Sequence, residues 1–79
     1  MHGIARPGDL VSVIDQLGNI DGPYLYIDGP IVPMDNPRKY DYSTVGKDDH
    51  NLWHYAILRE EKVVFVLSAW ASLMKYEGG

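Results

Sequence analysis

The sequence predicts an all-β fold: a small antiparallel barrel of four to five strands, with one long loop and at most one short helical turn. Three observations predict it. The chain has 79 residues, enough for one domain spanning 1–79. Its apolar residues fall in short β-branched or alternating runs, with no sustained helical spacing. Clusters of glycine, proline, asparagine and aspartate separate those runs. Rolling the sheet hides its edges, which suits so short a chain.

Residues 1–8, "MHGIARPG", read as a loose N-terminal arm ending in a turn. "DLVSVID" (9–15) is apolar and β-branched between Gly8 and Gly18, and predicts the first strand. "QLGNIDG" (16–22) is turn chemistry. "PYLYID" (23–28) alternates Leu25 and Ile27 against Tyr24, Tyr26 and Asp28, and Pro23 is tolerated as a first strand residue. From Gly29 to about His50 the periodicity breaks around three prolines, apart from a short β-run at Ile31 and Val32. Loops this long are uncommon in compact domains and often functional. "NLWHYAILR" (51–59) and "KVVFVL" (62–67) then predict a hairpin. Its Glu60-Glu61 connection lacks the Asn-Gly or Asp-Gly signature of a tight primed turn, so a three- or four-residue turn is expected. Lys62 should face out, which turns Val63, Phe65 and Leu67 inward. For 9–15 and 51–59 both faces carry apolar residues, and alternation does not decide. In "SAWASLMKYEGG", Ser68 suits the cap of one helical turn and Leu73–Tyr76 a last short strand.

Composition narrows the function classes. The absence of cysteine removes disulfides, thiolate chemistry and cysteine-ligated zinc, and favours an intracellular or virion setting over secretion. The net charge is −4 and the seven basic residues are scattered, which argues against nucleic acid as a partner. The longest apolar run, Val63–Leu67, is far short of the ~20 residues of a membrane-spanning helix. No signal peptide is visible at residue 1.

The stretch "KDDHNLWHYAI" (47–57) raises the question of a metal site built from Asp48, Asp49, His50 and His54. Four residues apart on a helix, two histidines share an ion; on a strand they stand ~13 Å apart. Trp53, Tyr55 and Ile57 favour the strand, so the expectation is a polar loop end followed by a half-buried histidine, with no metal or other cofactor. Asp48-Asp49 and Glu60-Glu61 read as solvated turn charges. No serine sits in a nucleophile elbow and no phosphate-cradling glycine motif occurs. A non-catalytic protein is expected.

Six tyrosines and two tryptophans point instead to binding, because these side chains give large contact area with a polar tip. Tyr40 and Tyr42, beside Arg38 and Lys39 in the long loop, have two readings: they lie down to cover the barrel, or they form a partner-binding surface. Tyr24 and Tyr26, facing away from Leu25 and Ile27, extend that candidate surface. Trp53 and Trp70 are expected in the core or at its rim, since a core this small needs its largest side chains.

"RPGDLVSVID" followed by "LWHYAILREEKVVFVLSAWASLMKYE" resembles small Src-homology-3-like β-barrel proteins encoded by tailed bacteriophages. The matching positions are Pro7, Gly8, Asp9, Val11 and Val13, then Trp53, Tyr55, Leu58, Val64, Leu73 and Glu77, about half the chain. Glu60-Glu61 departs from the usual Asp-Gly or Asn-Gly turn. The resemblance implies an interaction protein in the host cytoplasm or the virion. That protein is either a structural or assembly component, with a homo-oligomer among its expected states, or an inhibitor or adaptor that binds a host enzyme or defence protein. No functional residue carries over from it. A metal- or small-ligand-binding module is the third reading.

Overall fold

Five antiparallel strands form one sheet in the computed structural model, which describes residues 5–76. They are β1 (Leu10–Asp15), β2 (Ile20–Ile31), β3 (His54–Arg59), β4 (Lys62–Leu67) and β5 (Ala71–Lys75), in the order β4-β3-β2-β1-β5. The one helical turn among the described residues is a 3-10 turn at Lys47–Asp49, in the long loop and not after Ser68.

The sheet order requires strong curvature. Strands β4 and β5 occupy opposite ends, which lie ~19 Å apart in a flat sheet. The connection from Leu67 to Ala71 reaches at most ~14 Å. The sheet therefore rolls into a barrel-like layer, and its first core shows the result. Val11, Tyr26 and Ile57 are buried there, with Val64 and Val66 from β4 and Leu73 from β5 packed against the same cluster. Strands from both ends meet only inside the curl.

Strand β2 is longer than expected and takes in Asp21, Gly22 and Gly29–Ile31, because bulges let it bend and still pair. Gly22 and Gly29 sit at φ 126° and 145°, a region that side chains rarely adopt. A Cβ on Gly29 would lie 2.8 Å from the Tyr26 hydroxyl, so packing also requires glycine there.

The segment between β2 and β3 is a chain of turns laid over the outer face of the sheet. The Met34 N–H donates to the His50 carbonyl at 2.8 Å and closes its neck. Beneath it lies a second core of Ile31, Tyr42 and Ala56, with Ile27, Tyr40, Val45, Val63 and Phe65 packed against it. This corrects the inward assignment of Val63, Phe65 and Leu67. Val64 and Val66 line the interior, while Val63 and Phe65 face outward and are covered by the loop. A strand buried on both faces reads as a continuous apolar run, and that hid the direction of β4.

The hairpin register is Arg59↔Lys62, so the turn is two residues, not three or four. Glu60 and Glu61 both adopt positive φ, 51° and 66°. Left-handed backbone costs about 1–2 kcal/mol per non-glycine residue. A one-residue slip would turn every side chain of the hairpin to the wrong face. Packing wins. Within the described part of the N-terminal arm, Ala5 packs on the first core and the Gly8 N–H donates to the Tyr26 carbonyl at 2.7 Å. Residues 5–8 are thus held down; 1–4 lie outside the described residues, as does Glu77.

Candidate functional site

The predicted binding residues separate onto opposite faces of the sheet. Tyr26 is 3% exposed in the first core, its ring edge-on to Tyr55 at 5.9 Å. Burial pushes its hydroxyl above the usual tyrosine range. Tyr24 is half-buried on the same face; its hydroxyl donates to the Asp21 carboxylate at 2.6 Å, and that bond raises its pKa. Arg59 stands over the Tyr24 ring at 5.9 Å. Tyr40 and Tyr42 lie on the outer face, under the loop that carries them. The expected single surface of all four tyrosines does not form, because β2 turns Tyr24 and Tyr26 inward.

Tyr42 is 7% exposed, not a surface residue. Its ring packs 5.0 Å from Phe65, and its hydroxyl donates to the Asn36 carbonyl at 2.8 Å. Tyr40 is half-buried beside it and donates to Asp28 Oδ2 at 2.8 Å. Lys39 Nζ reaches the same oxygen at 2.6 Å. Asp28 on β2 is therefore the anchor that ties the loop to the sheet. The Lys39 ammonium, then the Tyr40 hydroxyl, hold its carboxyl below the usual carboxylate range. Burial, then the Asp28 bond, raise Tyr40. Of the predicted loop surface, Arg38, Lys39 and one side of Tyr40 remain accessible. An open groove of about 640 Å³ runs along the loop, walled by Pro33, Met34, Pro37, Tyr40, Tyr42 and His50.

The histidines have structural partners. His54 is buried at 2%, more deeply than the half-buried position expected, and its Nδ1–H donates to the Leu52 carbonyl at 2.8 Å. A carbonyl only accepts, so Nδ1 is the donor in this contact. His50 Nε2 lies 3.3 Å from the Val45 carbonyl. Asp48 is exposed in the 3-10 turn and Asp49 is half-buried beside it. Among the described residues no three histidine or acidic side chains gather at metal-ligating range.

The surface that sequence reasoning missed is the bare half of the outer face. Cross-strand partners share a face, so the pairs Leu10↔Leu25, Ile14↔Ile20, Ser12↔Met74 and Ile14↔Ser72 set these residues on one outer surface. The Tyr76 N–H donates to the Leu10 carbonyl and extends it. Leu10, Ile20, Met74 and Tyr76 are exposed there, and Trp70 beside them is 63% exposed. Trp70 and Trp53, the latter 55% exposed, are thus not core residues. Trp53 precedes β3 and Trp70 sits in the short β4–β5 connection, and tyrosines and Phe65 fill the cores instead. The sequence signal was present in β1, where apolar residues occupy both alternations. No helix among the described residues is long and apolar enough to cross a membrane. No protein-family model, curated protein or solved structure matches the chain.

Proposed function

We propose that this chain is a non-catalytic protein-interaction module, a structural or assembly component of the kind its resemblance to small tailed-phage barrels implies. One observation carries the reading: the outer face of β1, β2 and β5 exposes Leu10, Ile20, Met74 and Tyr76, with Trp70 exposed in the adjoining β4–β5 connection. Contiguous exposed apolar surface rimmed by polar residues marks contact sites. Aromatic and methionine side chains are also those enriched in interface cores. The groove beside Pro33, Met34 and Tyr40 supports a second reading, a small adaptor or inhibitor that grips an extended segment of a host protein.

Photo-crosslinking inside the producing cells tests both readings. A photoreactive residue at position 20 or 74 probes the bare face; one at 34 or 38 probes the loop. Protein adducts from 20 and 74 alone are expected. Adducts from the loop positions alone would move the function to the groove, and adducts from none would remove the interaction reading.

A further inference from the structure

Strand β5 has a second unsatisfied feature beside the bare face, its outer edge. Tyr76 donates its N–H to the Leu10 carbonyl, so in an antiparallel ladder Met74 and Ser72 also turn their backbone groups toward β1. The N–H and C=O groups of Ala71, Leu73 and Lys75 then point out of the sheet. No strand among the described residues pairs with that edge. Native proteins usually cover, bulge or charge such an edge, and among its outward-turned residues the charge is Lys75, at one end. Here the centre is Leu73.

From this edge we infer that β5 pairs antiparallel with β5 of a second copy of this chain, about a two-fold axis through Leu73. This deepens the interaction reading above and rests on it. The segment "WASLMKY" (70–76) is its own antiparallel complement. A two-fold at Leu73 sets Trp70 against Tyr76 of the other copy, Ser72 against Met74, and Ala71 against Lys75. On the outer face the bulky side chains meet small ones or stack: Met74 of one chain fits beside Ser72 and Ile14 of the other, and Trp70 meets Tyr76. Met74, Trp70 and Tyr76 are three of the large apolar residues that the monomer leaves bare. A second copy accounts for them and the open edge at once.

Charge also fits a second copy. On the inner face Lys75 lies over Ala71 of the other chain, whose neighbour on β1 is Asp15. The two backbones are ~10 Å apart, within reach of a lysine stem across an alanine. Asp15 carries a formal negative charge held by hydrogen bonds from Leu17 N, Asn19 N and Asn19 Nδ2. The symmetry makes this Lys75–Asp15 approach twice. The two Lys75 residues stand four residues apart along the ladder, ~13 Å, beyond the screening length at physiological salt.

Because the chain has no cysteine, disulfide trapping tests the register directly. Chains carrying Ser72→Cys are mixed with chains carrying Met74→Cys under mild oxidation. The mixture is expected to form a covalent heterodimer at least tenfold faster than either variant alone. Equal rates in all three samples, or no crosslink in any, would overturn the pairing. Sedimentation velocity of the unmodified chain from 1 to 200 μM supplies an independent readout. A monomer–dimer equilibrium that Met74→Glu weakens at least tenfold, with an unchanged urea midpoint, is expected. A monomer throughout would also overturn the inference. The bare-face reading itself stands in that event if the crosslinks from positions 20 and 74 trap a different protein, and falls if they trap none.

Discussion

The two halves of the outer sheet face were built from similar residues and ended differently. Over β3 and β4 the face carries Ala56, Val63 and Phe65, and the loop brings Tyr40, Tyr42 and Val45 down on them. Over β1 and β5 it carries Leu10, Ile14 and Met74, and no segment among the described residues lies across them. The difference is not hydrophobicity. It is whether the chain has length to spare at that point: β2 and β3 are joined by residues 32–53, while β4 and β5 are joined by 68–70. The covered half is a second core, with Tyr42 buried in it and Tyr40 half-buried at its margin. The bare half keeps its aromatic residues available.

Five variants test that contrast, in decreasing order of effect. Tyr42→Ala removes the centre of the covered half and is expected to destabilise the fold by about 3–5 kcal/mol, read from urea denaturation. A domain this small has roughly 4–12 kcal/mol in total, so the variant should be close to unfolded at 37 °C. A loss below about 1 kcal/mol would show that the loop lies on the sheet without supporting it. Glu60→Asn with Glu61→Gly relieves two left-handed glutamates and is expected to stabilise by about 1–2 kcal/mol. A destabilised double variant would break the assigned turn.

Asp28→Asn cuts the anchor of the loop and is expected to cost ~1 kcal/mol, because the bonds are charged but partly solvated. The strength of this anchor depends on pH. Asp28 titrates lower in the fold than in the unfolded chain, so its contribution is present above the usual carboxylate range and is lost as pH falls below about 4. Tyr40 titrates higher in the fold, so its contribution is present below about pH 10 and is lost as pH rises past its raised value. The loop should therefore loosen at both extremes, and Asp28→Asn should flatten the acid limb of a pH series of urea midpoints. Last, Trp70→Ser and Met74→Ser on the bare half should each change monomer stability by less than about 0.5 kcal/mol, measured at a few micromolar. A larger effect would mean that the bare half is packed after all.

Much of the fold was legible. β-branched runs between turn residues gave β1 and β4, and Pro23 with its alternation gave the middle of β2. The ends of β2 were not legible, because bulges at Gly22 and Gly29 extend pairing through residues that read as turn. The faces of β3 and β4 were not legible either: two cores, one on each side, erase the alternation that would show direction. Of the candidate site, the stretch 47–57 was read close to its geometry, since His54 does stand on a strand. The tyrosines were read by chemistry alone, and chemistry does not distinguish Tyr42 covering a core from Tyr42 facing a partner. Only the loop's path over Phe65 decides that. Trp70 misled for the converse reason: its size suggested a core, but a three-residue connection has no layer opposite it.

The two hairpins also differ in what their turns offer a chain that has not yet folded. The Asp15 carboxylate collects Leu17 N–H, Asn19 N–H and the Asn19 side chain within one short segment, so the β1–β2 reversal is supported by contacts local in sequence. The Glu60-Glu61 reversal opposes its own formation and holds only once the apolar faces on both sides are in place. Early structure in the folding reaction should therefore gather at β1–β2. The β3–β4 hairpin, with the richest apolar sequence in the chain, should close late and stay exposed the longest on the way.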